Sequence, residues 1–127
     1  MNLKELTPNL MVEDVNKTIE FYKSLGFEVA MTVPDDGKLD WAIVKQESVS
    51  LMFQSRKSLT DEMPVLKDKE IGGSLTFYID VDNVEELHKQ FKAKATLVRD
   101  LHTKPYGMKE FAIQDCNGFV LVFAERI

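Results

Sequence analysis

Leu6, Pro8, Leu10 and Val12 alternate with Thr7, Asn9 and Met11, a period of two that predicts a half-buried strand near the start of the chain. Pro8 places that strand at a sheet edge or makes it an end position. The period then lengthens. Val15, Ile19, Tyr22 and Leu25 fall along one helical stripe behind Asp14, whose carboxylate suits an N-cap, and Gly26 supplies the left-handed stop. Residues 27–33 predict a strand, Pro34-Asp35-Asp36-Gly37 a turn, and residues 39–45 and 49–54 two further strands around the polar Gln46-Glu47-Ser48. Residues 56–72 break the pattern with a polar stretch around Met63-Pro64-Val65-Leu66 that ends at Gly72-Gly73. A segment of that kind is a linker or a flap over a site.

The same order then returns. Leu75, Phe77, Ile79 and Val81 alternate with Thr76, Tyr78 and Asp80; Asp82 or Asn83 caps a helix with the stripe Val84, Leu87 and Phe91; strands follow from Thr96, Met108 and Phe119. Asn117-Gly118 predicts a type I′ hairpin turn, which needs positive φ at both central residues. Val12, Asp14, Val15 and Tyr22 recur as Val81, Asn83, Val84 and Phe91 at a spacing of 69. Trp41-Ala42-Ile43, Val49, Leu51 and Phe53 recur as Phe111-Ala112-Ile113, Phe119, Leu121 and Phe123 at a spacing of 70. A unit copied once points to two modules closing on each other rather than to a solenoid. The expectation is an α+β domain of two βαβββ modules, about 1–55 and 73–127, joined by a polar linker over 56–72. Each module forms a cupped, mostly antiparallel sheet with one helix behind it, and function is sought in a site shared by the halves.

Composition narrows the function. The chain of 127 residues is long enough to bury one core, and no apolar run approaches the ~18 residues of a membrane span. The first residues lack the apolar stretch of a secretory signal, so the expected location is the cytoplasm. The single cysteine, Cys116, supports neither an internal disulfide nor a thiolate metal cluster. A net charge of −5 argues against nucleic acid or an anionic membrane as the main partner and is compatible with a cationic ligand.

The two βαβββ units, the run Phe21-Tyr22-Lys23-Ser24-Leu25-Gly26-Phe27 and the segment Glu110-Phe111-Ala112-Ile113-Gln114-Asp115-Cys116-Asn117-Gly118 together resemble the vicinal oxygen chelate superfamily, which includes glyoxalase I, extradiol dioxygenases and bleomycin-resistance proteins. Cys116 stands where that family usually has proline. The resemblance implies a homodimer with cupped sheets that bind metal, substrate or drug. It also implies metal donors near the ends of the first and fifth strands and in the fourth and eighth. Those positions fall on Thr7, on Thr76, on Ser50 or Met52, and on Val122. None offers a carboxylate or an imidazole, so no metal, no cofactor and no catalytic residue is expected.

The positions left for a ligand are the cup-facing ones: Thr7, Asn9, Ser50, Met52, Gln54, Thr76, Tyr78 and Val122, with Trp41 and Phe111 as aromatic walls. Filling of the core or of a dimer interface is the competing use of Trp41, Phe111, Met52 and Met11. His88 is expected on a helix boundary, His102 in the loop 100–106 by the cup mouth, and Asp80 and Glu110 at solvated strand ends. The leading expectation is a metal-independent binding protein that sequesters a small, cationic or aromatic molecule in the cup between the sheets, like the bleomycin-resistance branch. The alternatives are a glyoxalase- or dioxygenase-like metalloenzyme with ligands relocated to His102, Asp80 or Glu110, and a partner-binding or regulatory module without a small-molecule ligand.

Overall fold

The computed structural model describes residues 1–127, which form two compact units, Met1–Lys69 and Glu70–Ile127. The first contains β1 (Asn9–Val12), α1 (Val15–Ser24), β2 (Glu28–Val33), β3 (Trp41–Gln46), β4 (Val49–Ser55) and α2 (Arg56–Glu62), followed by a 3₁₀ turn over Pro64–Leu66. The second contains β5 (Thr76–Asp80), α3 (Val84–Phe91), β6 (Thr96–Thr103), β7 (Met108–Gln114) and β8 (Val120–Arg126). The sheets have the same plan, β1-β4-β3-β2 and β5-β8-β7-β6, with one parallel pair and two antiparallel pairs in each. This is the expected α+β arrangement of two βαβββ modules.

Local chemistry sets the helix ends. Asp14 accepts a hydrogen bond from the Lys17 backbone N–H at 3.0 Å, and Asn83 does the same for Glu86 at 3.3 Å. The Glu125 side chain accepts from the Val84 backbone N–H at 3.1 Å and so satisfies another donor at the start of α3. At the end of α1 the Gly26 and Phe27 N–H groups return to the Lys23 and Tyr22 carbonyls, with Gly26 at φ 97°. That pair of bonds is a Schellman stop, which needs a residue free to be left-handed.

Each helix buries its stripe on one sheet face. Tyr22 of α1 is fully buried and lies 4.9 Å, ring centre to ring centre, from Phe53 of β4. Phe91 of α3 meets Phe123 edge to face at 5.3 Å, and Phe123 lies 5.3 Å from Phe111.

Two local expectations are corrected. Residues 56–72 are not a structureless loop. Ser55 caps α2 through the Ser58 N–H, and Leu59 is buried, a single apolar anchor too sparse to show as a period in sequence. The Asn117-Gly118 hairpin is not type I′ either, because only Gly118 has positive φ, at 92°. Asp115 and Phe119 pair around a three-residue loop, with the Asp115 carboxylate accepting from the Asn117 and Phe119 N–H groups at 2.8 and 2.9 Å. The aspartate stabilises an ordinary turn closed by one left-handed glycine.

Gly26→Ala puts a Cβ into left-handed backbone 3.1 Å from the Gln46 side-chain nitrogen and should destabilise the protein by roughly 1–2 kcal/mol, read as a lower urea midpoint at unchanged slope. Phe111→Ala empties a fully buried site and should cost about 3–5 kcal/mol in the same experiment.

Candidate functional site

Strand register decides which side chains face away from the helices. In the first unit Leu10, Val12, Ala42, Val44, Leu51 and Phe53 are buried on the α1 side. The alternate residues form rows across the opposite face. One row runs Asn9, Met52, Ile43, Met31, and the next runs Met11, Gln54, Trp41, Val33. Met31 and Val33 are 60% and 52% exposed, far more than core residues allow, while Trp41, Ile43 and Met52 are half-buried. Met11 and Gln54 are buried, so the open part of this face lies toward β2, where methionine, aliphatic and indole surface would suit a flat apolar ligand. Met31, Val33 and Ile43 were not among the sequence candidates, although their alternation along β2 and β3 carries the signal.

Other candidates in this unit are placed plainly. Ser50 lies opposite Lys45 on the same face, and Thr7, half-buried, precedes β1. Gln54 is buried and engaged internally: its carbonyl accepts from Asn9, and its amide nitrogen donates to Ser58 at 2.9 Å and to Glu62 at 2.5 Å. Both amide hydrogens are thereby used, so Gln54 orients Asn9 and braces α2 instead of presenting a donor to a ligand.

In the second unit the corresponding rows run Tyr78, Val122, Ala112, Arg99 and Asp80, Ala124, Glu110, His102. Thr76 is exposed on the same face, opposite Val120. Phe111 is not on it. It is fully buried on the α3 side, edge to face with His88 at 5.2 Å, and is core. The sequence repeat had matched Phe111 to Trp41, but the strand pairing matches Trp41 to Glu110, since Trp41 pairs with Gln54 and Glu110 with Ala124. The cause is loop length. β3 and β4 join through Glu47-Ser48, whereas β7 and β8 join through three residues, and the one extra residue shifts the match along β7 by one, exchanging the faces of Glu110 and Phe111 there.

Glu110 is consequently buried, 6% exposed, where a solvated strand end was expected. The Tyr78 hydroxyl donates to its Oε2 at 2.8 Å. His102 Nε2 and Lys104 Nζ stand 3.9 and 4.0 Å from its Oε1. His102 itself is in strand β6, not in a loop, and Asp80 is exposed at the end of β5. Loss of water around the hydroxyl, with the hydrogen bond to the Glu110 carboxylate and repulsion from its charge, pushes the Tyr78 phenol up to about 12.

The residues do not fit a metal centre of the kind the resemblance implies. Pairing of Asn9 with Met52 and of Tyr78 with Val122 makes Met52, not Ser50, the counterpart of Val122. The four positions therefore offer two hydroxyls, a thioether and an alkyl group, a poor donor set for a catalytic first-row ion. Among the relocated candidates, His102 Nε2 and Glu110 Oε1 lie 3.9 Å apart, while Asp80 stands away from both. Asp80 and Glu110 flank Ala124 on opposite sides, so two strand spacings, roughly 10 Å, separate their backbones.

In an absorbance titration Tyr78 should ionise near pH 12, seen as the phenolate signal lost in Tyr78→Phe. Glu110→Gln should lower that value only in part, because it removes the carboxylate's hydrogen bond and charge but not the loss of water around the hydroxyl.

A sequence profile for the Glyoxalase/Bleomycin resistance protein/Dioxygenase superfamily matches residues 5–123. Among solved structures, a bleomycin-binding protein complexed with bleomycin is 19% identical, with 98% of this chain and 100% of that one covered at a TM-score of 0.69. A glyoxalase/bleomycin resistance protein/dioxygenase from Nocardioides is 13% identical, with 100% and 86% covered at a TM-score of 0.80. A glyoxalase-related enzyme from Clostridium phytofermentans is 22% identical, with 100% and 98% covered at a TM-score of 0.74. No curated protein sequence matches the chain. At such identities the structural likeness is one of fold, and with a profile match over nearly its whole length the chain belongs to the Glyoxalase/Bleomycin resistance protein/Dioxygenase superfamily.

Proposed function

We propose that this protein binds a small organic molecule on its open sheet faces without the help of a metal ion and acts by sequestering it. One observation carries the reading. The positions that would supply metal donors hold Thr7, Met52, Thr76 and Val122, while the face around Met52 exposes Met31 and Val33 beside half-buried Trp41 and Ile43. Exposed methionine and aliphatic side chains of this kind cost free energy unless something covers them. The fold-level likeness to a bleomycin-binding protein supports a ligand of that general character, part aromatic and part cationic, and the net charge of −5 favours the cationic part. The protein acts in this reading as a cytoplasmic homodimer, the dimer following from family likeness alone.

Thermal unfolding after removal of metals by a chelator tests it. Excess Ni(II), Zn(II), Mn(II) or Fe(II) should leave the midpoint unchanged. Metal-free bleomycin, the first probe, should raise it by several degrees, since a ligand at 100 times its Kd adds about 2.7 kcal/mol. Trp41 emission should change in the same titration. Stabilisation by a metal alone would overturn the proposal and favour the metalloenzyme, and silence toward metals and to a panel of aromatic cations would favour a partner-binding module.

A further inference from the structure

The second sheet holds chemistry that plain apolar binding does not use. Glu110 takes the place that Trp41 occupies in the first sheet, and His102 takes that of Val33, so the shared framework carries a carboxylate and an imidazole where its counterpart carries an indole and an isopropyl group. His102 Nδ1 lies 2.8 Å from the Asp100 carbonyl oxygen. A carbonyl only accepts, so Nδ1 bears the proton, and in the neutral form of the ring the lone pair then sits at Nε2. That atom is buried and has no hydrogen-bond partner. It points toward Glu110 Oε1, another acceptor, at 3.9 Å.

Tyr78 occupies the other carboxylate oxygen and fixes the orientation of the group. Two acceptors facing each other at this distance call for a donor with two hydrogens. A nitrogen placed 2.8 Å from both would see them at roughly 90°, within reach of the spread of an ammonium or amidinium group. The chain's own cation, Lys104 Nζ, stands 4.0 Å from the same Oε1 but is not bonded to it. Arg99 belongs to the neighbouring row, opposite Ala112, and Asp80 lies beyond Ala124 in the row of Glu110.

We infer that Glu110 Oε1 and His102 Nε2 form a receptor for a primary ammonium or amidinium group of a small-molecule ligand, with Tyr78 holding the carboxylate and Lys104 competing for it. This rests on the sequestration reading and gives its ligand a defined polar end. An ionised carboxylate in a largely buried setting favours a charged donor over a neutral one.

The test uses benzylammonium and benzamidinium, with benzyl alcohol and benzamide as neutral counterparts, followed by calorimetry and by the ¹⁵N resonances of the His102 ring. The free protein should show a neutral Nδ1–H ring, and benzylammonium should move the Nε2 resonance and bind at least about tenfold more tightly than benzyl alcohol. Glu110→Gln should remove that preference. Lys104→Met, a change at a half-buried side chain that keeps Glu110 in place, should raise affinity about threefold by removing the competing cation.

An imidazolium already closed on Glu110 in the free protein, equal affinity for the alcohol, or a preference that survives Glu110→Gln would each overturn the inference. So would a His102 response to Zn(II) alone. Trp41 emission, recorded in parallel, separates this from the broader reading. A Trp41 response with a silent His102 overturns the receptor and leaves sequestration standing, and silence of both to these probes and to bleomycin overturns both.

Discussion

Everything chemical in this protein depends on strand register. A strand sends successive side chains to opposite faces, so a hairpin loop longer by one residue exchanges the solvent side for the helix side along the strand before or after it. The first unit turns between β3 and β4 with two residues and the second between β7 and β8 with three. That single residue sets Phe111 under α3 and turns Glu110 to the face away from the helix. The Asp115 carboxylate, which accepts two backbone N–H groups within the longer turn, is what stabilises the extra residue in place.

With the frame fixed, the two units have diverged in what the frame displays. Equivalent rows carry Met11, Gln54, Trp41 and Val33 in one sheet and Asp80, Ala124, Glu110 and His102 in the other. Burying polar groups is costly unless each finds a partner. The first sheet meets that constraint by enclosing one amide, Gln54, among Asn9, Ser58 and Glu62 and leaving the rest apolar. The second meets it only in part, with Tyr78 on one oxygen of Glu110 and a lone pair of His102 left over.

The fold was almost entirely legible in the sequence, because periodicity, the caps Asp14 and Asn83 and the stop at Gly26 all reflect local physics that survives without tertiary context. The face assignments that follow alternation within one strand, such as Asn9 with Met11 or Ser50 with Met52, were legible for the same reason. What failed depended on comparison between strands. Matching Trp41 to Phe111 on chemical likeness assumed equal loops, and chemical likeness then favoured aromatic over carboxylate, hiding Glu110. The choice between Ser50 and Met52 likewise required the pairing of β1 with β4. The helix over Arg56–Glu62 was missed because it rests on a Ser55 cap and one buried leucine rather than on a stripe.

The imidazole at the site owes its orientation to the core on the far side of the sheet. β6 carries an extra residue between Arg99 and His102 relative to β7, a bulge that turns His102 onto the row of Glu110. The bulge exposes Asp100, whose carboxylate accepts from the Leu101 backbone N–H at 2.7 Å and meets His88 Nε2 at 2.8 Å. Those two partners, the backbone N–H first, hold its carboxyl below the usual range. His88 is in turn seated edge-on against Phe111. The Asp100 carbonyl, positioned by this anchoring, receives Nδ1–H of His102 and so selects the tautomer that leaves Nε2 open. The one-residue register shift thus acts twice, moving Phe111 inward to seat His88 and Glu110 outward to face the nitrogen that this seating orients.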